Sequence, residues 1–176
     1  MSPNRDMPAR ILDTAVELFL SRGYADTSLR EIAEGLGVTK AAIYYHYRTK
    51  GELLEALFEP FLAEMERVIA EAGDVTQVAQ LRAFVDRYVD ALADHAPVVS
   101  LLARDVSVRT HPPIGERAQR LQQAQLGLLG RGRDDPAARL RAAAALGLVG
   151  GVAIYGDFAL GKVRDELIEL VNRVIE

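Results

Sequence analysis

Thr27-Ser28-Leu29-Arg30-Glu31-Ile32-Ala33-Glu34-Gly35-Leu36-Gly37-Val38-Thr39-Lys40-Ala41-Ala42-Ile43-Tyr44-Tyr45-His46-Tyr47-Arg48-Thr49-Lys50-Gly51-Glu52-Leu53-Leu54 is the stretch from which the fold can be read. Ser28-Leu29-Arg30-Glu31 is a capping-box pattern that opens a helix running to about Leu36. Gly37-Val38 makes a tight turn, and Thr39 caps a short helix through Tyr45. Thr49-Lys50-Gly51-Glu52 is a second capping box, opening a long helix. Two short helices meeting at a sharp angle need a small residue at their crossing, which Ala33 supplies. They need a residue tolerant of positive φ in the turn, which is Gly37. They also need an apolar plug, which is Ile43, supported by Ile32, Leu36 and Val38. This Ala-x3-Gly-x5-Ile spacing marks a helix-turn-helix between Ser28 and Tyr47.

With Ile43 facing inward, helical geometry leaves Thr39, Lys40, Ala41, Ala42, Tyr44, Tyr45 and His46 on the outside. Hydroxyls bind phosphate oxygens, lysine neutralises charge, and small residues let a helix approach base edges and thymine methyls. The charge distribution agrees. Residues 1–50 hold seven Lys/Arg against six Asp/Glu, while the remainder holds fourteen against nineteen. From Thr39 to Lys50 there are Lys40, Arg48 and Lys50 and no acid. An overall charge of −4 speaks against a protein that coats nucleic acid indiscriminately, but not against one local site. Aromatics in a small helical unit also serve as core filling. That reading is expected for Tyr47 and partly for Tyr44, and DNA contact for Tyr45, His46 and Lys50.

The pattern Gly37-Val38-Thr39-x3-Ile43-Tyr44-Tyr45-His46-Tyr47-x2-Lys50-x-Glu52-Leu53-Leu54, with Phe19 and Gly23-Tyr24 before it, resembles the N-terminal domain of the TetR family of bacterial transcriptional regulators. The resemblance spans roughly residues 8–58. It implies that Lys40, Ala41 and Ala42 lie where recognition helices read bases, and Tyr44, Tyr45 and His46 where rings touch backbone or bases. It places Lys50 at a helix N-terminus that grips phosphate, and Ser28, Arg30 and Thr39 at further contacts. Ala41 and Ala42 offer no hydrogen bonds where many relatives carry a polar residue or glycine. Direct readout is therefore expected to rest on Lys40, Thr39 and the aromatic side chains.

The rest of the chain reads as helix. Pro8 to Arg22 has an apolar stripe of Ile11, Leu12, Ala15, Val16, Leu18 and Phe19. The helix from Lys50 buries Leu53, Leu54, Leu57, Phe58, Phe61, Leu62, Met65 and Ile69, with a kink or break expected near Pro60. Helices follow over Thr76–Asp94, Pro97–Val108, Ile114–Leu129, Pro136 to about Leu160, and Val163–Glu176. The expectation is an all-α protein of about nine helices, with a DNA-binding domain at 1–50 and an effector-binding and dimerisation domain at 51–176. Cysteine is absent, which excludes disulfides and thiolate chemistry. No run is long and apolar enough for a membrane span and the N-terminus has no signal-peptide pattern, so a soluble cytoplasmic protein is expected.

Family resemblance implies a homodimer on a palindromic double-stranded DNA operator. Independently, Ala143, Gly147 and Gly151 recur every four residues, and small residues at that spacing let helices approach. They form a candidate dimer face together with Leu167, Leu170, Val171 and Val174 of the last helix; packing within one chain is the alternative. The family also implies a small effector. Candidate lining residues are Phe84, Tyr88, Leu102, Val106, Leu121, Gln125 and Tyr155, a stripe equally suited to plain core. Few charges interrupt it, which favours an apolar or weakly polar ligand. His95 and His111 read as exposed loop histidines, and Arg104 and Asp105 can pair with each other. No cofactor or metal is expected. There is no phosphate loop, no nucleophile with a base and no carboxylate cluster of metal-site type, so an enzyme is the weaker alternative. Asp86, Asp90 and Asp94 read as a solvated face. The other alternative is a dimeric sensor or scaffold that does not read DNA.

Overall fold

The computed structural model describes residues 7–133, 135–155 and 162–175, with backbone only for 153–155. The described residues form ten helices and no strand: α1 (Met7–Arg22), α2 (Leu29–Leu36), α3 (Lys40–His46), α4 (Lys50–Ala72), α5 (Val78–Asp94), α6 (Ala96–Arg104), α7 (Val106–Arg109), α8 (Pro112–Leu129), α9 (Pro136–Tyr155) and α10 (Arg164–Ile175). The stretch expected as one helix over Pro97–Val108 is two. Asp105 leaves helical conformation, and its carboxylate accepts from the Ser107 N–H to cap α7.

Local chemistry sets the boundaries. The Ser28 capping box is complete: Ser28 Oγ accepts from Glu31 N–H while Glu31 accepts from the Ser28 N–H at 2.8 Å. Gly37 ends α2 at φ 66°, a left-handed conformation that a side chain would strain. Thr39 and Thr49 cap α3 and α4 through their hydroxyls. The break expected at Pro60 does not occur, and α4 runs unbroken through it. Pro60 is exposed, so its ring sits on the solvent side of the helix.

One apolar core runs from α1 to α10. Phe19, Phe58 and Phe84 are at most 1% exposed, and burying each contributes roughly 1.5–3 kcal/mol. In the N-terminal unit α2 packs against α1 and α3, and α4 joins that unit to α5 and α8. Arg117 of α8 clamps α4 from outside, bonding Glu59 at 2.5 Å and Glu66 at 3.0 Å. Of the carboxylates of α5, Asp94 is exposed as expected, while Asp90 is bonded by Arg164 of α10. Nor are the two histidines free loop groups. His95 meets Glu64 and His111 meets Glu55, each at 3.0 Å, and both rings are largely covered.

Candidate nucleic-acid interface

Ala33 is 2% exposed and Ile43 0%, so the crossing of α2 and α3 is closed by the two residues the spacing selects. That closure turns the rest of α3 outward. Lys40, Ala41, Tyr44 and Tyr45 are exposed, with Tyr45 at 81%; Ala42 and His46 are half-buried. The rings make neighbouring contacts. Tyr45 meets His46 edge-on at 5.0 Å, and Lys40 Nζ sits 5.1 Å from the Tyr44 ring centre. Tyr47 is half-buried against the core.

A concave surface joins α3 to the start of α2 and α4. It is lined by Ser28, Arg30, Lys40, Tyr44, Arg48, Thr49 and Lys50, among others. Arg48 and Thr49 were not among the sequence candidates. Their signal was present, because they sit at the N-terminus of α4, where the unpaired amides and helix dipole favour anions. Arg30 is exposed and pairs with Glu34 at 2.7 Å.

Lys50 is placed differently from the expectation of a free phosphate grip. Its ammonium donates to the carbonyls of Tyr24, Ala25 and Thr27 at 2.5, 3.0 and 2.8 Å, and lies 4.4 Å from the Tyr24 ring centre. All three N–H groups are therefore in use. Burial pulls its pKa below the ordinary lysine value, with Asp26, Asp105 and Glu31 opposing. Lys50 ties the α1–α2 loop to α4. Lys50→Met, which keeps the stem and removes the donors, should cost about 1–2 kcal/mol of stability in chemical denaturation.

The same loop is held from the other side. The Tyr24 N–H donates to Asp105 Oδ2 at 2.7 Å, while Asp105 Oδ1 accepts from the Ser107 N–H and hydroxyl. Asp105 thus bonds the reading head and the hinge between α6 and α7, not Arg104. Burial pushes its pKa up, but these hydrogen bonds outweigh burial and hold it below the ordinary value. A lowered carboxylate stabilises the fold above the unfolded pKa of about 3.9, and loses that contribution as pH falls through its folded value. Asp105→Ala should therefore cost about 1–2 kcal/mol at neutral pH. In acid, its thermal midpoint should converge on that of the unsubstituted protein.

Behind the hinge lies a cavity of about 400 Å³ between α4, α5, α6, α8 and α9. Tyr88, Leu102, Leu121 and Gln125 line it as a set. Phe84 stands behind the wall, fully buried. Val106 is 60% exposed and outside, because the break at Asp105 takes α7 off the α6 stripe. Tyr155 falls outside the described side chains. Phe61, Leu62 and Met65 of α4 line the cavity too, although periodicity marks them only as core.

On α9, Ala143 and Gly147 are exposed and Gly151 is half-buried, beside Leu140 at 71% exposure. A Cβ added at Gly147 or Gly151 would meet nothing within 4 Å. On α10, Leu170 and Val174 share the accessible side. Leu167 and Val171 do not: at 3% and 1% exposure they pack inward, which removes them from an outer face. The period of the helix separates the two pairs.

Residues 11–57 match the family model described as bacterial regulatory proteins, tetR family. The transcriptional repressor AcnR of Corynebacterium diphtheriae is 33% identical over 131 residues, 71% of this chain and 67% of that protein. The transcriptional regulator TtgR of Pseudomonas putida is 47% identical over 66 residues, 38% of this chain and 31% of TtgR, so that match spans less than a third of the relative. Among solved structures, Mycobacterium smegmatis AmtR superposes with a TM-score of 0.75 at 26% identity, covering 99% of this chain and 88% of AmtR. A TetR-family regulator from Streptomyces coelicolor does so at 0.74 and 27%, covering 94% and 88%. With the helix-turn-helix geometry and these matches in agreement, the chain belongs to the TetR family of bacterial regulatory proteins and is a DNA-binding transcriptional regulator.

Proposed function

We propose that the protein is a homodimeric repressor that leaves a palindromic operator when a small molecule enters the 400 Å³ cavity. The observation that carries this reading is the outward face of α3, where Lys40, Tyr44 and Tyr45 stand exposed in a segment with no acidic residue. In the proposed complex α3 lies in the major groove, with Thr39, Lys40, Ala41 and Ala42 at base edges. Tyr44, Tyr45 and His46 flank them, and Ser28, Arg30, Arg48 and Thr49 meet phosphates. Lys50 contributes by fixing the loop and by its charge. The partner subunit joins through the face on which Leu140, Ala143, Gly147 and Leu170 are exposed and Gly151 and Val174 half-buried among the described residues. Operator binding places the protein in the cytoplasm.

Coupling between cavity and reading head is supported by the position of α6. Val99, Leu102 and Ala103 line the cavity, and Asp105, next after the helix, bonds the α1–α2 loop. A ligand that displaces α6 pulls on that bond. The test is binding to duplex DNA flanking the protein's own gene, titrated with salt. The expected result is preference over random duplex and an affinity that falls steeply with salt. Lys40→Ala should lose about 1–3 kcal/mol of discrimination between sequences. Arg48→Ala should weaken all duplexes alike and reduce the salt slope by about one. No preference for any duplex would refute the proposal.

A further inference from the structure

The cavity wall is apolar, with Phe61, Met65, Leu92, Leu102, Leu121 and Val149 among its residues. Four neutral polar side chains interrupt it, of which Gln119 and Gln122 are exposed and Tyr88 and Gln125 are buried. Tyr88 is 6% exposed and Gln125 8%, and both line the cavity. Neither makes a hydrogen bond to any described residue. Their polar groups are not among the buried atoms that lack a partner, so the hydroxyl and the carboxamide are open to a molecule in the cavity. Burial also pushes the Tyr88 phenol well above its ordinary pKa, so it stays a neutral hydroxyl. Among the described lining residues Arg109 alone is charged; it is exposed and donates to the Ala103 carbonyl at 2.6 Å.

Resting on the reading of this cavity as the effector site, we infer that it takes an uncharged, mainly apolar molecule carrying a hydroxyl or carbonyl oxygen, anchored by Tyr88 and Gln125. Both side chains can donate and accept, so together they serve an oxygen that does either. An ionic headgroup beside Tyr88 and Gln125 would lose its hydration and meet neutral dipoles there, which disfavours an ion relative to a neutral group. The volume suits a ligand of small-molecule size, since such pockets run from about 300 to 1,000 Å³.

The test uses three probes of equal chain length, decanol, decanoate and decylammonium, titrated calorimetrically into the full chain at neutral pH. Decanol should bind at least about tenfold more tightly than either ion, following the desolvation cost. Tyr88→Phe and Gln125→Leu should each weaken decanol binding by about five- to tenfold, the loss of one hydrogen bond to a neutral group. Decanoate binding best and depending on Arg109 would overturn the inference, as would preference for decylammonium or no binding by any probe. Unchanged decanol affinity in both variants would overturn it too, and the headgroup ranking on the unsubstituted protein stands whether or not either variant folds. DNA affinity measured with the same preparations separates the two layers. A wrong headgroup ranking with duplex binding intact removes the ligand chemistry and leaves the regulator. Correct ranking with no duplex preference does the reverse.

Discussion

Ile43→Ala should cost the fold about 2–5 kcal/mol and abolish specific DNA binding even where the variant remains folded. Ile43 is 0% exposed and is the buried residue of α3. That helix has seven residues, too few to persist on its own propensity, so its position depends on packing. Removing the side chain leaves a cavity between α2 and α3, and the partly collapsed site changes their angle. The DNA-facing residues are untouched by the substitution, yet their placement depends on that angle. Circular dichroism melts and duplex binding, measured together, check it. A folded Ile43→Ala with full specificity would show that another contact sets the crossing.

Gly115→Val should lower stability by about 3 kcal/mol, because a Cβ at this position would overlap the Arg109 carbonyl oxygen. Helix propensity acts in the opposite direction, since valine is better than glycine inside a helix by roughly 0.4 kcal/mol. The steric effect wins, as backbone rather than a flexible side chain stands in the way. Gly115 also lines the cavity, at the point where α8 starts beside the end of α7. The strain should therefore reach ligand binding as well as the melting midpoint. Thermal unfolding with and without decanol measures both effects. A midpoint equal to that of the unsubstituted protein would mean that α7 yields freely.

The reading head was almost wholly readable from residues 28–54, because every signal there is local. Ser28, Thr39 and Thr49 cap the helices that follow them, Gly37 needs its own φ, and Ala33 and Ile43 are spaced by helical geometry. What the sequence hid was long-range. The carbonyls that engage Lys50 lie 23–26 residues earlier, and Asp105 meets the Tyr24 N–H across 81 residues. No periodicity encodes either bond. The break between α6 and α7 lacks a proline or glycine, and only Asp105 as a cap foreshadows it. The cavity was half visible for a related reason. A stripe of apolar residues states which face turns inward, but whether that face meets a neighbour or a space depends on how five helices pack. On α10 the stripe named four residues where the outer face keeps two, Leu170 and Val174.

The most direct test of the central claim is selection from a pool of random duplexes by the full chain. The enriched sequences should form an inverted repeat, and Lys40→Ala should blur the same positions in both halves, as two copies of α3 in successive major grooves require. Enrichment of no sequence, or of one that Lys40→Ala leaves unchanged together with substitutions at Tyr44 and Tyr45, would contradict the assignment of α3 as the DNA-reading helix.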